Sequence, residues 1–117
     1  RIAKLQGEND FDGIIAVADE MLAVNPQDAL AQKIRLQALF DKKDYAGVIA
    51  SAEEAAAGQT DEEERSDVYF ILGAAYNART MPQQAIDALS KVTAGANVAA
   101  AQKTVAQLKE NAAKANS

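Results

Sequence analysis

The chain has 117 residues, enough for one domain, with a net charge of −5, no cysteine and no histidine. These counts exclude disulfides, thiol nucleophiles, thiolate or imidazole metal sites and the commonest general base. An acidic body also argues against nucleic acid as a partner, because phosphate-backbone affinity comes from lysines and arginines that displace counterions.

Hydrophobic residues make up 49% of the chain and aromatics only 5%, so alanine carries much of the apolar content, which favours closely packed helices. No apolar run is long enough to span a membrane. The chain opens on Arg1 rather than Met, which reads as a processed or partial chain from which any leader is already missing.

In chain order, residues 1–6 (RIAKLQ) read as the end of a helix. The stretch NDFDGIIAVADEMLAVNP then places Phe11, Ile14, Ile15, Ala18, Met21 and Leu22 on one helical face. Asp10 is its expected cap. Asn25-Pro26 is expected to end this helix and begin the next, with Asn25 as N-cap and Pro26 in the first turn. Residues 27–42 form that next helix, with Leu30, Ile34, Leu39 and Phe40 apolar. Residues 45–57 form another, ended by Gly58 as a left-handed C′ residue. Thr60 and Glu63 read as a capping box ahead of a helix over 61–79, with Val68, Leu72, Ala75 and Tyr76 on one face. Met81-Pro82 opens a helix to about Thr93, and Gly95 stops it. Asn97 is the expected cap of the last helix. Its thin apolar seam, Val98, Ala101, Val105 and Leu108, suits the polar-faced end of a helical stack.

The chain repeats internally. Asp10-Phe11 recurs as Asp44-Tyr45 at a spacing of 34 residues, together with Arg1 and Arg35, Ile15 and Ile49, Ala18 and Ala52. A third copy follows at a spacing of 37 residues, pairing Leu39 with Tyr76, Ile49 with Ile86 and Ala52 with Leu89. The three additional residues are expected in the GQTDEEE segment, as loop.

A helix-turn-helix period of this length resembles the tetratricopeptide repeat family. The third copy, SDVYFILGAAYNARTMPQQAIDAL, is similar to it in the order Tyr69, Leu72, Gly73, Tyr76 and Ala85. The second copy departs at Gln32, Leu36 and Val48, and the first has Ile14 at a position the family keeps small. The resemblance implies an all-α fold, a right-handed superhelix of antiparallel helical hairpins. It divides the chain into a partial repeat at 1–26, repeats at 27–60 and 61–96, and a capping helix at 97–117. The first half of repeat one is then expected upstream of Arg1. It also implies that Gly73 and Ala85 let two helices close on each other beneath Tyr76.

Candidate chemistry is sparse. Glu62, Glu63, Glu64 and Asp67 form the densest charge run, and acidic residues at a helix start are accounted for by the positive end of the helix dipole. The adjacent pairs Asp19-Glu20 and Glu53-Glu54 point about 100° apart on a helix and do not converge. No phosphate-binding glycine loop, nucleophile elbow, zinc-protease or calcium-loop motif is present. The sequence therefore reads as no enzyme, with no cofactor and no metal. Tyr45 and Tyr76 fall at repeat-core positions and read as packing residues.

The resemblance implies a non-catalytic protein–protein interaction module that binds a peptide or partner helix in a concave groove. Carried onto this sequence, the groove takes Leu30, Lys33, Gln37, Phe40 and Asp41 from repeat two. From repeat three it takes Asp67, Phe70, Ala74, Asn77 and Ala78. Phe70 is expected to face the groove because Tyr69 occupies the inward face. Of the basic set used by carboxylate-gripping co-chaperone members only Lys33 fits, while Asp67 and Ile71 stand where that clamp needs cations, which argues against this subset. The alternative is a structural or self-assembly segment that packs on other domains or on another copy of the chain. The style of IRLQALFDKKDY is similar to bacterial tetratricopeptide proteins of the cell envelope, which makes the periplasm the expected compartment.

Overall fold

The computed structural model describes residues 10–115. Among these residues the chain is all-α: α1 (Phe11–Val24), α2 (Ala29–Asp41), α3 (Tyr45–Gly58), α4 (Glu62–Ala78), α5 (Pro82–Leu89) and α6 (Val98–Ala115), with no strand. The expected helical end at residues 1–6 lies outside the described residues. Each helix packs on its neighbours in the chain, and α2 also meets α4. The extents of 51 × 27 × 22 Å are those of a row of helices.

Local chemistry explains the boundaries. Asp10 caps α1 as expected, its carboxylate accepting from Gly13 N at 3.0 Å, and Asp44 caps α3 in the same way through Gly47 N at 3.0 Å. Asn25 ends α1 but does not cap α2. Its side chain accepts from Gln27 N within a short turn, and α2 starts later behind Asp28, whose carboxylate accepts from Ala31 N at 3.1 Å. The cap of α4 is Asp61, not Thr60, with Glu63 N donating to Asp61 Oδ1 at 2.9 Å.

Gly58 departs from the expected left-handed C′ geometry. It is the last helical residue of α3, followed by Gln59 at φ −86°. The reason for glycine there is proximity, because a Cβ would run into the side-chain amide of Gln32 on α2. Among the described residues the non-glycine left-handed positions fall inside the hairpins instead, at Lys43 (φ 68°) and Thr80 (φ 59°). Asp44 N donates to Leu39 O and Met81 N donates to Tyr76 O, so both hairpins close through the same six-to-one bond past a left-handed residue. These paired atoms are 37 residues apart, a repetition of backbone geometry as well as of side chains.

The three additional residues are not loop. α4 has 17 residues where α2 has 13, so the acidic segment is wound into an extra N-terminal turn of α4. At the other end α5 stops at Leu89, earlier than Thr93. There Thr93 N and Ala94 N turn toward α4 and donate to Ser66 Oγ at 3.1 and 3.2 Å.

Two apolar clusters hold the row together. The first joins Leu36 and Leu39 of α2, Val48, Ala52, Ala55 and Ala56 of α3, Val68, Ile71, Leu72 and Ala75 of α4, and Ala88 of α5. The second joins Ala85, Ile86 and Leu89 of α5, Val92, and Ala101 and Leu108 of α6. Tyr69 and Tyr76 pack against both. Many of these residues are alanines, and small contact residues allow helix axes to approach closely.

Candidate functional site

An opening lies along α1 and α2. Phe11 and Ile14 come from the first two turns of α1, just behind the Asp10 cap. Leu30, Lys33, Ile34, Gln37, Ala38 and Asp41 come from one face of α2, spaced three or four residues apart, and together they enclose about 690 Å³. Leu30 stands 62% exposed at this opening. At the other end Gln37 Nε2 donates to Asp41 Oδ1 at 3.0 Å, so an apolar floor meets a polar, acidic edge.

Lys33 does not offer a free charge to this opening. Its Nζ reaches across to α4, where it pairs with Glu64 and donates to Asp67 Oδ2 at 2.8 Å. Asp67 accepts a second bond from Asn97 Nδ2 at 3.1 Å, which ties the segment before α6 to the same centre. Desolvation pulls the Lys33 pKa down, but the hydrogen bonds to Asp67 and Glu64 and their charges outweigh it. The net shift is upward from the ordinary lysine value.

The expected groove residues therefore divide. Leu30, Lys33 and Gln37 share the α1–α2 opening, and Asp67 adjoins it through Lys33. Phe40 turns away and packs edge-on against Tyr45, with ring centroids 5.6 Å apart. Ala74 is half-buried and Asn77 exposed. Phe70, expected to face the groove, is partly buried and packs against the second core cluster. The inward face of α4 is wider than one aromatic because the row continues into α5 and α6 beyond it.

Phe11, Ile14, Ile34 and Ala38 are the lining residues not assigned to the groove from sequence. The available signal was Ile14, a large side chain at a position expected to be small. The acidic run at the start of α4 is dispersed among partners. Glu62 accepts from Thr93 Oγ1 at 2.7 Å, and Glu64 pairs with Lys33. Among the described residues no three acidic side chains converge as a metal site would need, and no helix is long and apolar enough to cross a membrane. Comparison with known protein families and with curated proteins gives no match.

Proposed function

We propose that this chain is a tetratricopeptide-like segment, a right-handed superhelical array of antiparallel hairpins capped by α6. In this reading it acts as a non-catalytic interaction module that holds a peptide or partner helix against the α1–α2 opening. The repeat reading is supported by the two identical hairpin closures, Leu39 with Asp44 and Tyr76 with Met81. The observation that carries the function is the opening itself, an apolar floor with Leu30 exposed at its mouth. Leaving such a side chain in water forgoes burial worth roughly 1.5–3 kcal/mol, which a partner covering it would recover.

Selection of a random-peptide display library on the full chain tests this. Enriched peptides should lose about tenfold in affinity, roughly 1.4 kcal/mol, when titrated against Leu30→Ala. They should be unaffected by Gln102→Ala on α6. Peptides that ignore Leu30, Ile34 and Gln37 alike would sink the reading. A dimer in sedimentation whose formation requires Leu30 would favour the self-assembly alternative.

A further inference from the structure

We infer that the seam beside α2, between α1 and α3, is a binding site for a compact planar organic cation of the aryl-amidine kind. A cavity of about 250 Å³ opens there, lined by a different face of α2 from the one at the α1–α2 opening. Leu22, Pro26 and Ala55 supply apolar walls, and Gln32, Arg35 and Glu54 supply polar ones.

The argument comes from the internal repetition, because the same seam recurs beside α4. At the spacing of 37 residues set by the hairpin closures, Gln32, Arg35, Ser51, Glu54 and Ala55 correspond to Tyr69, Leu72, Ala88, Lys91 and Val92. Both sets lie among the described residues. The later seam is filled by its own side chains. Leu72, Ala88 and Val92 are buried, and Tyr69 packs against both apolar clusters. Lys91 Nζ stands over the Tyr69 ring, 5.1 Å from its centroid. In the earlier seam glutamine takes the place of the ring. Gln32 Nε2 donates to Pro26 O at 3.1 Å, which ties the side chain to the turn and leaves the space of a ring open.

Charge is inverted at the same place. Lys91 suits the electron-rich face of a phenol. Glu54, its counterpart, repels that face and favours a ring that carries positive charge. Arg35 does not cancel the carboxylate. Its guanidinium is committed elsewhere, Nε donating to Asp19 Oδ1 at 2.8 Å and Nη1 to Ser51 Oγ at 3.2 Å. Glu54 pairs with no cation among the described residues. The cavity therefore combines apolar walls, room for a ring and one uncompensated negative charge.

The probes are benzamidine, its neutral isostere benzamide, and benzoate. Each is titrated into the full chain while the methyl signals of Leu22 and Ala55 are followed. Benzamidine should shift both methyls and bind about fivefold more tightly than benzamide, the scale of one exposed ion pair. Benzoate should bind more weakly than either. Glu54 is exposed, so Glu54→Gln should keep the wild-type melt and lower benzamidine to the level of benzamide. Gln32→Tyr should fill the seam as Tyr69 does and abolish binding of all three; if that variant does not fold, Glu54→Gln decides alone. A capped arginine, which has the cation without the ring, should bind more weakly than benzamidine, and equal binding overturns the aryl assignment. Equal affinity for benzamidine and benzamide, indifference to Glu54→Gln, or shifts confined to other parts of the chain overturn the site.

Discussion

A Cβ at Gly73 would lie 2.5 Å from both Cγ and Cδ2 of Leu89, so the absence of a side chain on α4 is what lets α5 close upon it. Gly73 is buried and Leu89 is 3% exposed, which leaves no room for either to move aside. Gly73→Leu is expected to cost about 1–3 kcal/mol through overpacking, read as a lowered midpoint in thermal or urea unfolding. Shortening the neighbour with Leu89→Ala in the same chain should recover part of that loss. A Gly73→Leu melt equal to wild type would show that the two helices are not in this contact.

Ser66 is 1% exposed, and its Oγ accepts from both Thr93 N and Ala94 N. Ser66→Ala fits the space but leaves two backbone donors without their acceptor. The expected loss is about 1–3 kcal/mol, with faster amide exchange at Thr93 and Ala94 than elsewhere. Unchanged exchange at those two amides would contradict the geometry.

Thr80 holds a left-handed backbone at φ 59°, a conformation that a β-branched residue adopts at a cost. Thr80→Asn is expected to raise stability by about 0.5–1 kcal/mol, since asparagine tolerates this region and adds no glycine-like freedom to the unfolded chain. Lys43→Asn at the equivalent turn should gain less, because lysine is not β-branched. A fall in the melting midpoint for Thr80→Asn would indicate that the threonine contributes something beyond its backbone.

Phe70 offers a direct contrast between helical phase and packing. Phe70→Ala is expected to destabilise the fold by about 2 kcal/mol, less than a fully buried phenylalanine would, because Phe70 packs partly buried on the α5–α6 cluster. A wild-type melt for Phe70→Ala would instead place the ring in solvent.

Much of the fold was legible in the sequence, and the failures are physical ones. Helical spacing located each described element, and Asp10, Pro82, Gly73 and Ala85 acted as their chemistry implied. Adjacent candidates for a single role misled. Thr60 and Asp61 are both good caps, as are Asn25 and Asp28, and only the path of the chain decides between them. The groove was read from the phase of single helices, which cannot register what packs across a neighbouring hairpin. Phe70 is drawn into the α5–α6 cluster, and Lys33 is claimed by two carboxylates on α4. The opening beside Leu30 depends on α1 and α2 lying together, a tertiary fact.

The Lys33 centre makes stability depend on pH at the alkaline end. The folded-state pKa of Lys33 lies above the ordinary value of 10.5, so the folded chain holds this proton more tightly than the unfolded chain. Its contribution is fully present below 10.5 and is lost as the pH rises through the higher folded value. Lys33→Met should therefore be less stable than wild type at neutral pH by roughly 0.5 kcal/mol, given the partial exposure of the pair. The two unfolding curves should converge at strongly alkaline pH. A gap that persists there would assign the effect to packing of the lysine stem.

The longer α4 bears on how such a chain tolerates change in length. Measured back from the shared hairpin turn, α4 begins four residues earlier than α2 does. Four residues advance a helix by about 400°, little more than one revolution. The polypeptide consequently enters α4 from nearly the same side as it enters α2, and every downstream side chain keeps its bearing. One or two extra residues would have swung the entry point toward the opposite side. Length variation at this junction is thus rotationally quantised, and the added revolution brings Glu62 and Glu64 within reach of Thr93 and Lys33.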